Sequence, residues 1–148
     1  MVVTDFTAYF TGVWRIERRI HDRRLGQRGR LIGTARFEPA DDALDYVETG
    51  LLEFGDHRGE ATARYRYRPL GGGAAEVLFP DGRFFHRFDL GSAPGGSRIS
   101  RVRHDCAPDL YRGRYVVIGR ECWLLGWRIA GPRKTLSLAT RYERIGRD

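Results

Sequence analysis

The chain has 148 residues, of which 41% are hydrophobic and 30% charged, and its formal net charge is +7 at pH 7. This length predicts one domain, residues 1–148, and the composition excludes a disordered tail and a protein with membrane-spanning helices. The N-terminus lacks the basic start and apolar stretch of a secretion signal, so we expect a cytoplasmic protein with no membrane partner.

The excess of basic residues invites a nucleic-acid interpretation. All but one of the 26 basic residues are arginine, however, and the exception is Lys134. A GC-rich coding sequence produces the same bias without selection for binding. The most basic segment, Arg15 to Arg30, contains no aromatic residue on which a base could stack. We therefore interpret this segment as a solvated edge and do not expect a nucleic-acid partner.

The first predicted element is a short helix near Asp5 to Tyr9, with Thr4 or Asp5 as its N-cap. After this helix, turn signals that contain Gly or Pro recur at even spacing along the chain. The segments between them are rich in Val, Ile, Leu, Phe, Tyr and Arg. This spacing is typical of all-β folds. About ten strands are predicted, and they start near Gly12, Arg30, Leu44, Arg58, Ala74, Phe84, Ser97, Tyr111, Glu121 and Lys134.

Alternation with period two predicts which side chains share a face of each strand. The first strand places Arg18 on the same face as Trp14 and Ile16. In the segment 84–90, one predicted face carries Phe84, His86, Phe88 and Leu90, and the opposite face carries Phe85, Arg87 and Asp89.

Short connections imply that neighbouring strands are antiparallel. Closing the sheet removes the exposed edges that a long meander would leave. The predicted fold is therefore all-β: a single antiparallel up-and-down β-barrel of about ten strands with a short N-terminal helix.

Polar residues on the predicted inner face indicate a cavity. Arg18, Glu48 and His86 share their faces with apolar or aromatic residues, as Glu48 does with Tyr46. A packed core would favour aliphatic side chains, because a buried unpaired charge costs several kcal/mol. Barrel interiors and mouths are common ligand sites. Internal ion pairs that satisfy these groups without a ligand remain the alternative.

The helix followed by Gly12-Val13-Trp14 resembles the start of the calycin superfamily, which includes lipocalins, fatty-acid-binding proteins and nitrobindins. The resemblance implies that Trp14 closes one end of the barrel. It also implies that a basic residue of the last strand packs across the tryptophan ring, and Arg141 and Arg144 are the candidates.

A second resemblance covers the chain from end to end. It is to an uncharacterised domain-of-unknown-function family of calycin-like barrels of about this length. The matching motifs are residues 12–14, 18–20, 33–37, 46–50, 79–86, 104–111, 127 and 131–134. This resemblance supports the fold and the single domain, and it implies no activity.

The segment 104–111 concentrates reactive residue types. His104, Cys106 and Asp109 fall short of the four ligands that a structural zinc requires, so we predict no metal site and no cofactor. We interpret His104 as part of a polar wall. Cys106 and Cys122 have no pattern of a disulfide framework and are expected to be free.

The leading hypothesis is a small-molecule-binding barrel with a partly polar cavity for a polar or anionic ligand, to which arginines supply bidentate contacts. Lys134, the only lysine, is interpreted as an anion contact at the barrel mouth. The predicted ligand-binding residues are Arg18, Glu48, Tyr65, Arg83, His86, His104, Tyr111, Trp127 and Lys134.

Two other functions use the same barrel. An isomerase, lyase or hydrolase would use His86 or His104 as a general acid or base. Heme binding of the nitrobindin kind would use one of these histidines as the axial ligand. The sequence leaves open the ligand, the choice between carrier and enzyme, the oligomeric state, and which face of the third, fourth and seventh strands lines the cavity.

Overall fold

The structure is a computed structural model and describes residues 1–91 and 98–147. It contains one short helix, α1 (Phe6–Phe10), and ten strands. The strands are β1 (Gly12–Asp22), β2 (Gln27–Ala40), β3 (Ala43–Phe54), β4 (His57–Gly71), β5 (Ala74–Leu78), β6 (Phe84–Asp89), β7 (Ile99–Cys106), β8 (Asp109–Gly119), β9 (Cys122–Ala130) and β10 (Thr135–Gly146). The predicted strand start at Ser97 lies outside the described residues.

All neighbouring strands are antiparallel, in the order β6-β5-β4-β3-β2-β1-β10-β9-β8-β7. The two end strands, β6 and β7, come close together, and the Asp89 amide of β6 donates a hydrogen bond of 3.0 Å to Ser100 Oγ of β7. The sheet is therefore a nearly closed up-and-down barrel, which confirms the predicted fold class.

One strand departs from strict alternation. Val77 of β5 pairs with His86 and the next residue, Leu78, pairs with Phe84, so Phe85 is an extra residue on β6. This β-bulge turns two successive side chains inward: Phe85 is 8% exposed and His86 2%. Phe84 is 53% exposed. The predicted faces of Phe84 and Phe85 were wrong, because period-two counting does not anticipate an inserted residue.

Helix α1 closes one end of the barrel. Asp5 caps it by accepting a hydrogen bond of 3.1 Å from the Ala8 amide. The first and last residues of the helix, Phe6 and Phe10, have buried side chains. The Phe10 carbonyl accepts a hydrogen bond of 2.9 Å from Trp14 Nε1. The helix is therefore fixed to the start of β1 as well as to the aromatic core.

Of the two arginines proposed to lie over Trp14, Arg144 occupies that position. Its guanidinium carbon is 4.1 Å from the centre of the indole ring, and its Nη2 donates a hydrogen bond of 2.6 Å to the Tyr9 carbonyl. Arg141 lies on the outer surface, where its Nε donates to a Glu143 carboxylate oxygen at 3.0 Å. One side chain thus joins the last strand to the first strand and to α1.

The core next to α1 is densely aromatic. Trp123 and Tyr142 stack with ring centres 3.7 Å apart and planes 4° apart, and Phe10 packs edge-on against Trp123 at 5.1 Å.

Within the described residues, no helix has both the length and the apolar composition of a membrane-spanning segment.

Candidate functional site: a polar-aromatic cavity

Beyond this aromatic core the barrel encloses a cavity of about 120 Å³. Its wall comes from β1, β3, β4, β5, β6, β8, β9 and β10, and no residue of α1 contributes to it. Because the strands alternate, every second residue of each strand is available to line it. Tyr142, which stacks on Trp123 in the aromatic core, also lines the cavity, so the cavity directly adjoins that core.

An ion pair forms the polar side of the cavity. Arg18 of β1 donates two hydrogen bonds to the Glu48 carboxylate of β3, from Nη1 at 2.7 Å and from Nη2 at 2.9 Å. Its Nε donates a third, of 2.8 Å, to Thr140 Oγ1 of β10. The side chains are 18% and 5% exposed. This fork-to-fork geometry is the strong form of an arginine–carboxylate pair.

Two tyrosines extend the polar network. The Tyr46 hydroxyl donates to Glu48 Oε1 at 2.5 Å and shares a hydrogen bond of 2.8 Å with the Tyr142 hydroxyl. Burial, followed by the charges of neighbouring groups, holds the pKa of Tyr46 well above its ordinary value. Burial alone would lower the pKa of Arg18, but the hydrogen bonds to Glu48 and the nearby negative charge raise it. Arg18 stays charged and Tyr46 stays protonated.

A second polar pair lies on another side of the cavity wall. His86 Nε2 and the Tyr115 hydroxyl share a hydrogen bond of 2.7 Å. Among the described residues, the other ring nitrogen, Nδ1, has no hydrogen-bond partner, although it is buried. Burial, assisted by the charge of His104, lowers the pKa of His86 to about 3. His86 is therefore neutral at pH 7 and has one unused hydrogen-bonding atom.

A stack of three aromatic rings borders the cavity. The Phe79 and Phe85 ring centres are 4.7 Å apart, those of Phe85 and Trp127 are 5.3 Å apart, and the planes differ by 18° and 9°. His104 packs edge-on against Phe85 at 5.0 Å. The stack spans from the connection after β5 to β9, and two of its rings, Phe85 and Trp127, give one side of the cavity an apolar lining.

The structure brings most of the predicted site residues together. The cavity is lined by Arg18, Glu48, Tyr65, His86, Tyr111 and Trp127. The other three lie elsewhere. His104 is behind Phe85, Arg83 is exposed and its Nε donates to Asp81 at 2.7 Å, and Lys134 Nζ is 3.6 Å from an Asp109 carboxylate oxygen. For all nine, a role in ligand binding remains a prediction.

Several lining residues were absent from the predicted set, notably Tyr46, Phe85, Tyr115 and Tyr142. Tyr46 precedes Glu48 by two residues on the same strand, and this spacing was a usable signal. Phe85 was hidden by the bulge in β6. Tyr115 and Tyr142 become recognisable only through their hydrogen bonds to His86 and Tyr46, which join residues far apart in sequence.

Neither cysteine is in a disulfide bond; Cys106 is exposed and Cys122 half-buried. Within residues 1–91 and 98–147, no group of three or more His, Cys, Asp or Glu side chains is arranged to hold a metal ion.

Comparison with known proteins identifies the family and the fold. A model described as a family of unknown function, DUF6314, matches residues 10–144. Among curated proteins, none matches the chain in sequence.

Two solved structures share the barrel. The S-type phycobiliprotein lyase CPES from Guillardia theta has 7% identity and a TM-score of 0.60, and the similarity covers 91% of this chain and 88% of that one. EF1p2_mFAP2b bound to DFHBI has 9% identity and a TM-score of 0.50, and the similarity covers 95% of this chain and 100% of that one. At these identities the likeness establishes the fold alone.

Proposed function

The chain belongs to the DUF6314 family of unknown function, and we propose that this member is a small-molecule-binding barrel whose cavity takes a small, planar, uncharged polar ligand. The observation that carries the proposal is the cavity itself, whose wall combines aromatic rings with a buried histidine that has an unused nitrogen. The same barrel architecture holds DFHBI in one of the solved structures.

The size of the cavity limits the ligand. A volume of about 120 Å³ is close to that of an engineered protein cavity of about 150 Å³ that binds benzene. It is well below the range of about 300–1,000 Å³ for drug-sized ligands. One ring with a polar substituent fits this space.

The charges inside the cavity favour a neutral ligand over an anion. Arg18 is the cation that lines the cavity, and Glu48 already engages it through two hydrogen bonds. His86 is neutral at pH 7 because burial lowers its pKa. An anion would have to compete with Glu48 for Arg18. Of the two ligand classes that the sequence predicted, polar and anionic, we therefore keep the polar ligand and drop the anionic one.

The aromatic wall and His86 supply complementary contacts. Phe85 and Trp127 stack on each other, so they present ring edges to the cavity, against which the face of a planar ring packs. The Nδ1 atom of His86 is covered by neighbouring atoms, and a ligand that displaces them can exchange a hydrogen bond with it, in a direction set by the proton shared with Tyr115. A buried polar atom without a partner costs free energy, and a ligand that pairs with it recovers that cost.

The first test is native mass spectrometry of the purified protein, with identification of any molecule that copurifies. The second is NMR titration with benzamide and benzoate, which have the same shape and differ in charge. We expect benzamide to shift the Trp127 indole signal and to bind more tightly than benzoate. A clean apo mass together with no shift from either probe would overturn the proposal, and tighter binding of benzoate would restore the anionic ligand.

An enzymatic role has one supporting feature, the His86–Tyr115 pair within the cavity. A general base works best with a pKa near the operating pH, whereas burial lowers the pKa of His86 to about 3. The pair is better suited to hydrogen bonding than to proton transfer. Heme is a poor match, because the macrocycle requires several times the volume of a single ring and His86 Nε2 is engaged by Tyr115.

A further inference from the structure

The outer face of one barrel wall carries a concentration of positive charge. Its members are Arg101 and Arg103 of β7, Arg112 and Arg114 of β8, and Arg128 of β9, and all five are exposed. We refer to these five residues as the arginine face. It lies outside the cavity, on the opposite side of the sheet.

Register places these arginines directly against one another. Arg101 pairs with Arg114 across β7 and β8, and Arg112 pairs with Arg103 on one side and with Arg128 on the other. Like charges directly opposite each other on neighbouring strands are destabilising. Coding bias explains why the chain contains arginine instead of lysine, but it does not explain why these arginines face one another.

Some exposed arginines elsewhere on the barrel have acidic partners. Arg15 Nη2 is 3.4 Å from a Glu143 carboxylate oxygen, and Arg36 Nη1 is 3.4 Å from Glu38. On the arginine face, Arg103 alone has an acidic partner among the described residues, Asp105 at 3.3 Å. The face therefore has an uncompensated charge that a polyanion could neutralise.

The spacing of the arginine side chains and the shallow groove beside them are suited to binding a phosphate backbone. Neighbouring strands are about 4.8 Å apart, and side chains on one face repeat about every 6.7 Å along a strand. Beside the arginines the surface continues over small residues, Gly126, Ser137 and Ala139, which form the floor of a shallow groove. Guanidinium groups bind phosphate oxygens through two hydrogen bonds, which ammonium groups cannot do in the same plane.

The lack of exposed large apolar side chains between these arginines, in the part of the chain that the structure describes, favours a nucleic-acid duplex over a single strand or a membrane. None of the exposed large hydrophobic side chains in the described residues lies between these arginines. Proteins that grip single strands stack bases on aromatic side chains, and proteins that lie on membranes insert apolar side chains. A duplex presents its phosphates outward and keeps its bases inside, so it requires neither kind of contact.

We propose that the arginine face binds the phosphate backbone of double-stranded nucleic acid without reading its sequence. This binding is independent of the cavity. The sequence interpretation considered the segment from Arg15 to Arg30 and discounted nucleic acid because the segment has no aromatic residue. Arg23 of that segment lines the groove, but none of the five residues of the arginine face belongs to it. The face is assembled by strands β7, β8 and β9, and their register cannot be read from local composition.

The test is fluorescence anisotropy with a mixed-sequence 20-base-pair DNA duplex between 50 and 200 mM salt. Four to five phosphate contacts predict a slope of about −4 in the plot of log K against log salt. Arg112→Gln and Arg114→Gln should each weaken binding about 5- to 10-fold and reduce the slope by about 1. Arg64→Gln is the matched control, because Arg64 is an exposed arginine on β4, away from the face. It should leave both quantities unchanged.

The outcomes separate this proposal from its alternatives. Circular dichroism of each variant establishes that it is folded before its affinity is interpreted. No duplex binding at 50 mM salt, or an equal loss in Arg64→Gln, would overturn the proposal. Tighter binding to the corresponding single strand would also overturn it. Arg112-dependent binding to vesicles containing 30% phosphatidylglycerol, with no duplex binding, would identify the face as a lipid surface instead.

Discussion

Arg18 and Glu48 join two strands that are not neighbours in the sheet: Arg18 lies on β1, Glu48 on β3, and β2 runs between them. On β2, Arg18 is in register with Leu31 and Glu48 with Ala35, so the arginine reaches diagonally across β2 to the carboxylate. The pair holds opposite charges together in the barrel interior and leaves little net charge for a ligand to meet.

Removing one member of this pair should cost far more stability than removing both. We expect Glu48→Gln to lower the free energy of unfolding by about 3 kcal/mol, because it leaves a guanidinium half-buried without its counter-ion. The double variant Arg18→Met with Glu48→Leu should lose about 1 kcal/mol or less. Urea denaturation of the unsubstituted protein, Glu48→Gln and the double variant gives the three free energies of unfolding.

The matched control for this comparison is the exposed pair Arg15 and Glu143, whose side chains are 59% and 40% exposed. Arg15→Met with Glu143→Gln should change the free energy of unfolding by less than about 0.5 kcal/mol. If the double variant of the buried pair lost as much stability as Glu48→Gln, the unpaired guanidinium would not be the cause of the loss.

The charge balance in the cavity also predicts a change of ligand preference. In Glu48→Gln the guanidinium of Arg18 lacks a carboxylate, and a ligand carboxylate can take that position. We expect benzoate affinity to rise at least tenfold, which corresponds to about 1.4 kcal/mol, while benzamide affinity changes little. NMR titration of the two probes measures this, and an equal gain for both would show that the effect is not electrostatic.

His86 should make stability depend on pH in the acid range. Its pKa is lowered to about 3 in the folded state, below the ordinary value of 6.5, so folding favours the neutral ring. The resulting stabilisation is complete above about pH 6.5 and is lost as the pH falls from there toward 3, by up to about 1.4 kcal/mol per pH unit. Urea denaturation at pH 7 and pH 5 should give a smaller difference for His86→Gln than for the unsubstituted protein.

Because carboxylates also titrate in this range, the comparison requires a second histidine. His57 is exposed at the start of β4 and is the matched control. His57→Gln should retain the pH dependence of the unsubstituted protein. An NMR titration in which His86 protonates near pH 6.5 would contradict the burial argument directly.

The two arginines of the last strand should differ sharply in their contribution to stability. Arg144 lies over Trp14 and donates to the Tyr9 and Thr11 carbonyls at 2.6 and 3.2 Å. Arg144→Met should therefore lower the free energy of unfolding by about 2 kcal/mol. Arg141→Met removes a surface contact to Glu143 and should cost less than about 0.5 kcal/mol. Equal losses measured by thermal denaturation would refute the assigned role of Arg144.

Space behind Trp127 gives a further test of the cavity wall. A Cβ atom at Gly113 would lie 2.7 Å from the Trp127 ring, whereas one at Gly126 would meet only the Leu138 carbonyl oxygen at 3.9 Å. Gly113→Ala should displace the indole, cost about 1–3 kcal/mol and weaken benzamide binding. Gly126→Ala should leave the NMR signal of Trp127 and the benzamide affinity unchanged.

Local sequence patterns predict the strands because turn residues and alternation are local properties. Arg18, Glu48 and Tyr65 lie in the interior as the predicted site requires, although the patterns left open which face of the third and fourth strands lines the cavity. The patterns do not identify contacts between side chains that are distant in sequence. They raised internal ion pairs as an alternative, but they could not pair Arg18 with Glu48, which is 30 residues away.

The position of His104 depends on the bulge in β6. Period-two counting separated Phe85 from His86 and could not show that Phe85 lies between the cavity and β7. With the bulge, Phe85 occupies the inside and covers His104, whose ring lies 5.0 Å away. Arg83 and Lys134 are not among the residues that line the cavity: they lie in the connections before β6 and β10, where alternation gives no information about direction.

The bulge in β6 also makes the cavity depend on the length of a strand as well as on its residues. Deleting one residue there would restore strict alternation and rotate either Phe85 or His86 out of the interior. The cavity would then exchange an aromatic surface for a polar one, or the reverse, without any side chain being replaced. Insertions and deletions in β6 are therefore a route by which such barrels can diverge in ligand specificity.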